Sequence, residues 1–202
     1  MGKPTTTQTL RWAMGLATAS VALGVMSVKS HQLPILLASL FLLVICLTDT
    51  LSSRIPNLLT YGLAICGLLY NLEAAGARGA ATSLLGFAAG LGLLLVPFLL
   101  GGMGAGDVKA LGALGALLGP GPVMQVFLYM AFIGGLLSLC FYAFSGRLRE
   151  RITVLWQALY VFSASRERAA LHPIVLKKGL RFPYAVAIAL GYFAFLNWGR
   201  II

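Results

Sequence analysis

Aspartate occurs at only two of the 202 positions, Asp49 and Asp107, and both stand beside long apolar runs. Asp49 follows LASLFLLVICLT. Asp107 follows the glycine ladder GGMGAG and opens the run VKALGALGALL. Two carboxyl groups held close together cannot both ionise cheaply, so one keeps a proton while the other stays charged. In that state the charged member can take a proton from water while the protonated member polarises a carbonyl. This is the chemistry by which aspartic proteases hydrolyse peptide bonds. An ionisable residue in or near hydrocarbon is costly to keep, and a functional role is the default reason for finding one there.

Local structure offers Asp107 a plainer role. It precedes a helical run, and aspartate is a favoured helix N-cap. Asp49 has no such alternative, because it stands near the C-terminal end of a predicted helix, where the macrodipole disfavours negative charge. Four of the six residues before Asp107 are glycines, Gly101, Gly102, Gly104 and Gly106. Their missing side chains permit unusual backbone and close approach, and leave room for an extended peptide beside the carboxylate. A phosphate-cradling loop is not expected, since GxxxxGK[ST] is absent. Cys46, Cys66 and Cys140 lie inside apolar runs without a CxxC pair, and His31 and His172 are isolated, so no metal site is expected.

The elements that must position these residues are membrane helices. Hydrophobic residues make up 59% of the chain and charged residues 10%, with a mean hydropathy of +0.92. Soluble domains carry about 25% charged residues, so this chain cannot clothe itself for water. At about 20 residues per crossing, the apolar runs divide into segments near 12–28, 33–49, 56–72, 80–100, 107–119, 121–144 and 182–199. The expectation is an all-α polytopic bundle of six to seven transmembrane segments, forming a single domain over 1–202. The 107–119 segment is short for a full crossing, and its Ala and Gly residues suit close helix packing.

The net charge of +10 is unevenly spread. Eight of the fifteen basic residues fall between Arg147 and Arg181, in the one long polar segment. With a cytoplasmic N-terminus and seven crossings, twelve basic residues lie inside and three outside, as the positive-inside rule requires. The segment at about 145–181 then reads as a basic cytoplasmic loop. Its RERAALHPIVLKKGLR stretch can also be read as amphipathic and lying on anionic lipid. No nucleic-acid motif accompanies the charge, and nucleic acid is not expected as a partner. In this topology Asp49 ends one helix and Asp107 begins another on the same cytoplasmic face. Glu73 falls on the opposite side, and Glu150 and Glu167 sit among arginines in the basic loop.

With both aspartates placed, the sequence resembles the type IV prepilin peptidases. Gly104, Ala105, Gly106 and Asp107 within GMGAGDVKALG fill that family's GxGD signature, with Lys109 at its customary basic position. In DTLSSRIPNLLT, Asp49 precedes Ile55, Pro56 and Asn57 as the family's first catalytic aspartate precedes its (I/L)P(N/D) element. The later RFPYAVAIALG is similar to the start of the family's last helix. The resemblance implies an aspartic endopeptidase with Asp49 and Asp107 as its catalytic pair. Gly102, Gly104, Gly106, Lys109, Pro56 and Asn57 are implied to support the site or bind substrate.

The resemblance also implies no metal or organic cofactor, and a location in the inner (cytoplasmic) membrane of a prokaryote. The implied substrate is a prepilin or pseudopilin whose hydrophobic N-terminal helix lies in the same bilayer, and whose short basic leader is removed at the cytoplasmic face. Bifunctional members carry an insert with paired CxxC motifs and methylate the new N-terminus. This chain lacks CxxC, so it resembles the shorter, peptidase-only branch associated with Flp-type, tight-adherence pili. A preflagellin-type peptidase would share the mechanism. From another class, a small transporter could use the two aspartates as a proton or cation relay. That reading expects carboxylates near the bilayer midplane.

Overall fold

The computed structural model describes residues 6–29, 32–52, 54–99, 102–144, 153, 183–199 and 201. Among them the regular structure is entirely helical: α1 (Thr6–Lys29), α2 (Leu33–Ser52), α3 (Asn57–Leu99), α4 (Ala105–Leu118), α5 (Pro120–Phe144) and α6 (Tyr184–Trp198). Over the described residues, each expected apolar segment falls on a helix or part of one. The basic segment at 145–181 lies outside the described residues apart from residue 153, as do His31 and His172.

Segments 56–72 and 80–100 are two arms of α3, joined without a loop. A straight helix of its 43 residues would run about 65 Å, twice the roughly 30 Å of hydrocarbon in a bilayer. The helix breaks at Ala75 (φ −142°, ψ 18°) and Gly76 (φ 59°, ψ −140°). Glycine takes the Gly76 geometry without a Cβ penalty. The turn is tight enough that Gly79 lies against the carbonyl of Asn71. What the sequence suggests as a connection of several residues is thus a two-residue break.

Between the two arms runs α4. On the first arm, Asn57 meets Lys109 and Gly67 meets Ala116 and Leu117, so the two run parallel. On the second arm, Gly86 meets Gly115 and Gly90 meets Leu111 and Gly112, which is an antiparallel register. These glycines remove the side chains that would hold the backbones apart, the device by which membrane helices pack closely. Residues Ala110–Leu117 are all buried. At 14 residues, α4 spans about 21 Å, too short to bridge a hydrocarbon core alone. It is sheathed instead, with α2, α5 and α6 also against it.

The remaining helices complete the wall. α1 lies along α2, and α5 along α6. Pro120 and Pro122 fall in the first turn of α5, where a missing N–H costs nothing. The helices α2 and α3 and the stretch Pro120–Cys140 of α5 are long and apolar enough to cross a membrane. Leu51, Leu58, Leu99 and Phe132 are among the large apolar side chains left exposed, a surface suited to lipid rather than water. The chain is an integral membrane protein on these helices.

Candidate active site

Asp49 sits in the last turn of α2 and is half-buried. Two helices, α1 and α6, hold the end of α2 around it. The Cys46 thiol reaches the carbonyl of Ala185 in α6 at 3.4 Å and also meets the Thr18 hydroxyl of α1. At Gly15, α1 approaches α2 so closely that a methyl group would meet the Thr50 side chain at 2.5 Å. One turn earlier on α1, the Arg11 guanidinium donates to the Asp49 carbonyl, Nη2 to O 2.7 Å.

Asp107 lies in the first turn of α4 and is only 7% exposed. It is not the N-cap. The helix begins two residues earlier than the 107–119 reading, and Gly104 holds the cap position with extended backbone (φ −86°, ψ 153°). Asp107 is the third helical residue, and its Oδ2 accepts from the Gly104 N–H at 3.0 Å. The Asp107 N–H donates back to the Gly104 carbonyl at 3.1 Å. This is the reciprocal arrangement of a capping box, with backbone supplying the half that a serine hydroxyl usually supplies. One carboxylate oxygen is engaged in holding the turn.

The two aspartates come together at one end of the bundle, near enough for the charge of one to act on the other. The topology explains this. The end of α2, the start of the first α3 arm, the end of the second arm and the start of α4 all meet there. The supporting residues gather at the same end. Lys109 Nζ donates to Asn57 Oδ1 at 3.0 Å and stands 5.4 Å from the centroid of the Tyr61 ring. Asn57 and Tyr61 are one turn apart on α3, so a single cation can meet both. Pro56 immediately precedes α3, and its carbonyl accepts from the Leu59 N–H at 3.2 Å.

The glycines divide their work. A methyl group at Gly106 would meet Cβ of Ile55 at 3.1 Å. The room at Gly106 is therefore filled by the protein's own Ile55, not left for a peptide. Gly102 donates its N–H to the Pro97 carbonyl at 2.9 Å, closing the end of α3 with the spacing of a helix C-cap. Gly102 and Gly104 remain exposed, and they are where the backbone stays open beside Asp107. Among the described residues no three His, Cys, Asp or Glu side chains gather as a metal ion would need.

Sequence reasoning did not single out Ile55 as a packing partner, Tyr61 as a cation platform, or Arg11 as a neighbour of Asp49. Tyr61 was recoverable, since it lies one helical turn after Asn57. Arg11 was not, because no local signal links positions 38 apart.

No curated protein and no solved structure matches the chain. A family match does exist, and it takes in both aspartates, the IPN element and the GxGD element. Residues 36–139 match the type IV leader peptidase family, just over half of the 202 residues, and on that match the chain belongs to this family of proteases.

Proposed function

We propose that this protein is an aspartic endopeptidase that removes short basic leaders from type IV, Flp-like prepilins or pseudopilins, with Asp49 and Asp107 as its catalytic pair. The observation that carries the reading is the placement of these two aspartates at one end of the bundle, in the last turn of α2 and the first turn of α4, within a leader-peptidase chain. One carboxylate accepts a proton from the attacking water. The other, protonated, donates to the scissile carbonyl oxygen as the tetrahedral intermediate forms. The intermediate then collapses, and the departing amine takes up a proton. The Gly104–Asp107 hydrogen bond fixes one oxygen of Asp107 in its turn and so orients the carboxyl.

The apolar segments are read as six to seven crossings, and the resulting count of twelve basic residues against three supports a cytoplasmic N-terminus and an active site at the cytoplasmic face of the inner membrane. The whole chain acts as one peptidase domain and needs no cofactor. The lack of CxxC pairs supports a peptidase without methyltransferase activity. A proton or cation relay gains no support from the structure, because both aspartates lie in terminal helical turns rather than at mid-helix.

The test is cleavage of a pilin precursor from the same genome by the detergent-purified protein, with mass spectrometry of the product. A single cut that releases the basic leader is the expected result. An intact precursor under conditions where the protein remains folded would overturn the proposal, and ion flux in liposomes would then favour the relay.

A further inference from the structure

Arg11 stands in α1, outside the 36–139 segment matched to the family. Its guanidinium nevertheless reaches the backbone of Asp49, Nη2 to O 2.7 Å, from a partly buried position. The carbonyl of Asp49 belongs to the last turn of α2, which ends at Ser52. The same helix end carries the negative pole of the macrodipole. A guanidinium is planar, permanently charged and suited to holding such an acceptor.

Gly15 makes the approach possible, since any side chain there would strike Thr50. The contact therefore has its own supporting geometry, one helical turn from Arg11 on α1 and beside Asp49 on α2. α2 ends only three residues beyond Asp49, where an unrestrained helix end would fray.

We propose that Arg11 is a positioning residue for Asp49. By binding the Asp49 carbonyl it holds the last turn of α2 in the orientation that presents the carboxyl to Asp107, which makes α1 part of the active site. The inference rests on the peptidase reading above. Loss of the guanidinium leaves substrate binding intact and misaims one carboxyl, so it acts on turnover rather than on KM. A displacement of about 1 Å at a reacting group costs on the order of a hundredfold in rate.

The experiment compares kcat and KM for the purified full-length protein cutting the same pilin precursor. The variants are Arg11→Met, Arg11→Lys and, on the exposed side of α1, Leu16→Ala. Arg11→Met is expected to lower kcat roughly 10- to 100-fold with KM within about twofold. Arg11→Lys, which keeps the charge and a donor, recovers most of that loss, and Leu16→Ala behaves as wild type. A kcat for Arg11→Met within about twofold of wild type overturns the assignment. So does an Arg11→Lys variant as slow as Arg11→Met.

If Arg11→Met does not accumulate in membranes, Arg11→Gln decides by the same criterion: lowered kcat supports the assignment, and unchanged kcat overturns it. A silent wild type removes the peptidase reading and this inference with it. An active wild type with an equally active Arg11→Met removes this inference alone.

Discussion

Lys109 and Asn57 are joined side chain to side chain at 3.0 Å across 52 positions of sequence. Each belongs to a different motif, Asn57 to the IPN element after Asp49 and Lys109 to the helix that opens with Asp107. Their hydrogen bond ties the start of α3 to the start of α4 beside the two carboxyls. The Tyr61 ring supports the same ammonium from one turn along α3.

This pair should therefore behave as a unit. In a double-mutant cycle on cleavage rate, Asn57→Ala and Lys109→Met are expected to couple by about 0.5–1.5 kcal/mol. The double variant would then be little worse than the worse single one. Fully additive losses would show that the two side chains act independently.

The sheath around α4 sets a second expectation. A methyl group at Gly86 would run into the Gly115 carbonyl, and one at Gly90 would meet the Leu111 carbonyl. Neither neighbour is a flexible side chain that could move aside. Gly86→Ala should cost about 1–3 kcal/mol through overpacking and slow cleavage by shifting the helix that carries Asp107. Gly62→Ala, where a methyl group meets nothing within 4 Å, should be close to neutral. Thermal unfolding in detergent separates the two, and equal melting temperatures would contradict the packing described.

Asn71 closes the far end of α4. Its side-chain amide donates to the carbonyls of Ala116 and Leu117, both at 3.1 Å, and to Gly67 at 2.9 Å. Carbonyls at a helix end lack partners of their own, and a low-dielectric surrounding makes unpaired ones costly. Replacing Asn71 by Leu preserves approximate volume and removes all three bonds. Stability should fall by about 1–3 kcal/mol, with cleavage by the surviving folded protein largely retained, since the site lies at the opposite end of α4. A variant as stable as wild type would mean the amide is not needed there.

Much of this architecture was legible in the sequence because lipid imposes a simple rule. Apolar runs of sufficient length must be helical, since no water is present to satisfy the backbone. The two aspartates could be brought to one end by counting crossings. What could not be read depends on approach distances. Whether 73–79 is a loop or a break turns on the backbone of Ala75 and Gly76. Asp107 reads as an N-cap because glycine, with no side chain, is an inconspicuous occupant of the position Gly104 actually holds. The room attributed to the glycine ladder is partly taken by Ile55, a packing fact invisible to motif spacing. Arg11 reaches Asp49 only because Gly15 lets α1 close on Thr50, a tertiary event that no local pattern announces.

The central claim is that Asp49 and Asp107 form one catalytic unit. The direct measurement follows the mobility shift of a pilin precursor in membranes carrying wild type, Asp49→Asn or Asp107→Asn at equal expression. Asparagine keeps the shape of each side chain and removes its acid–base chemistry, and residues acting as a unit lose nearly everything when either is removed. The account predicts cutting by wild type and none detectable by either variant. Near-normal cutting by either one would make that aspartate a structural group and contradict the shared-proton mechanism.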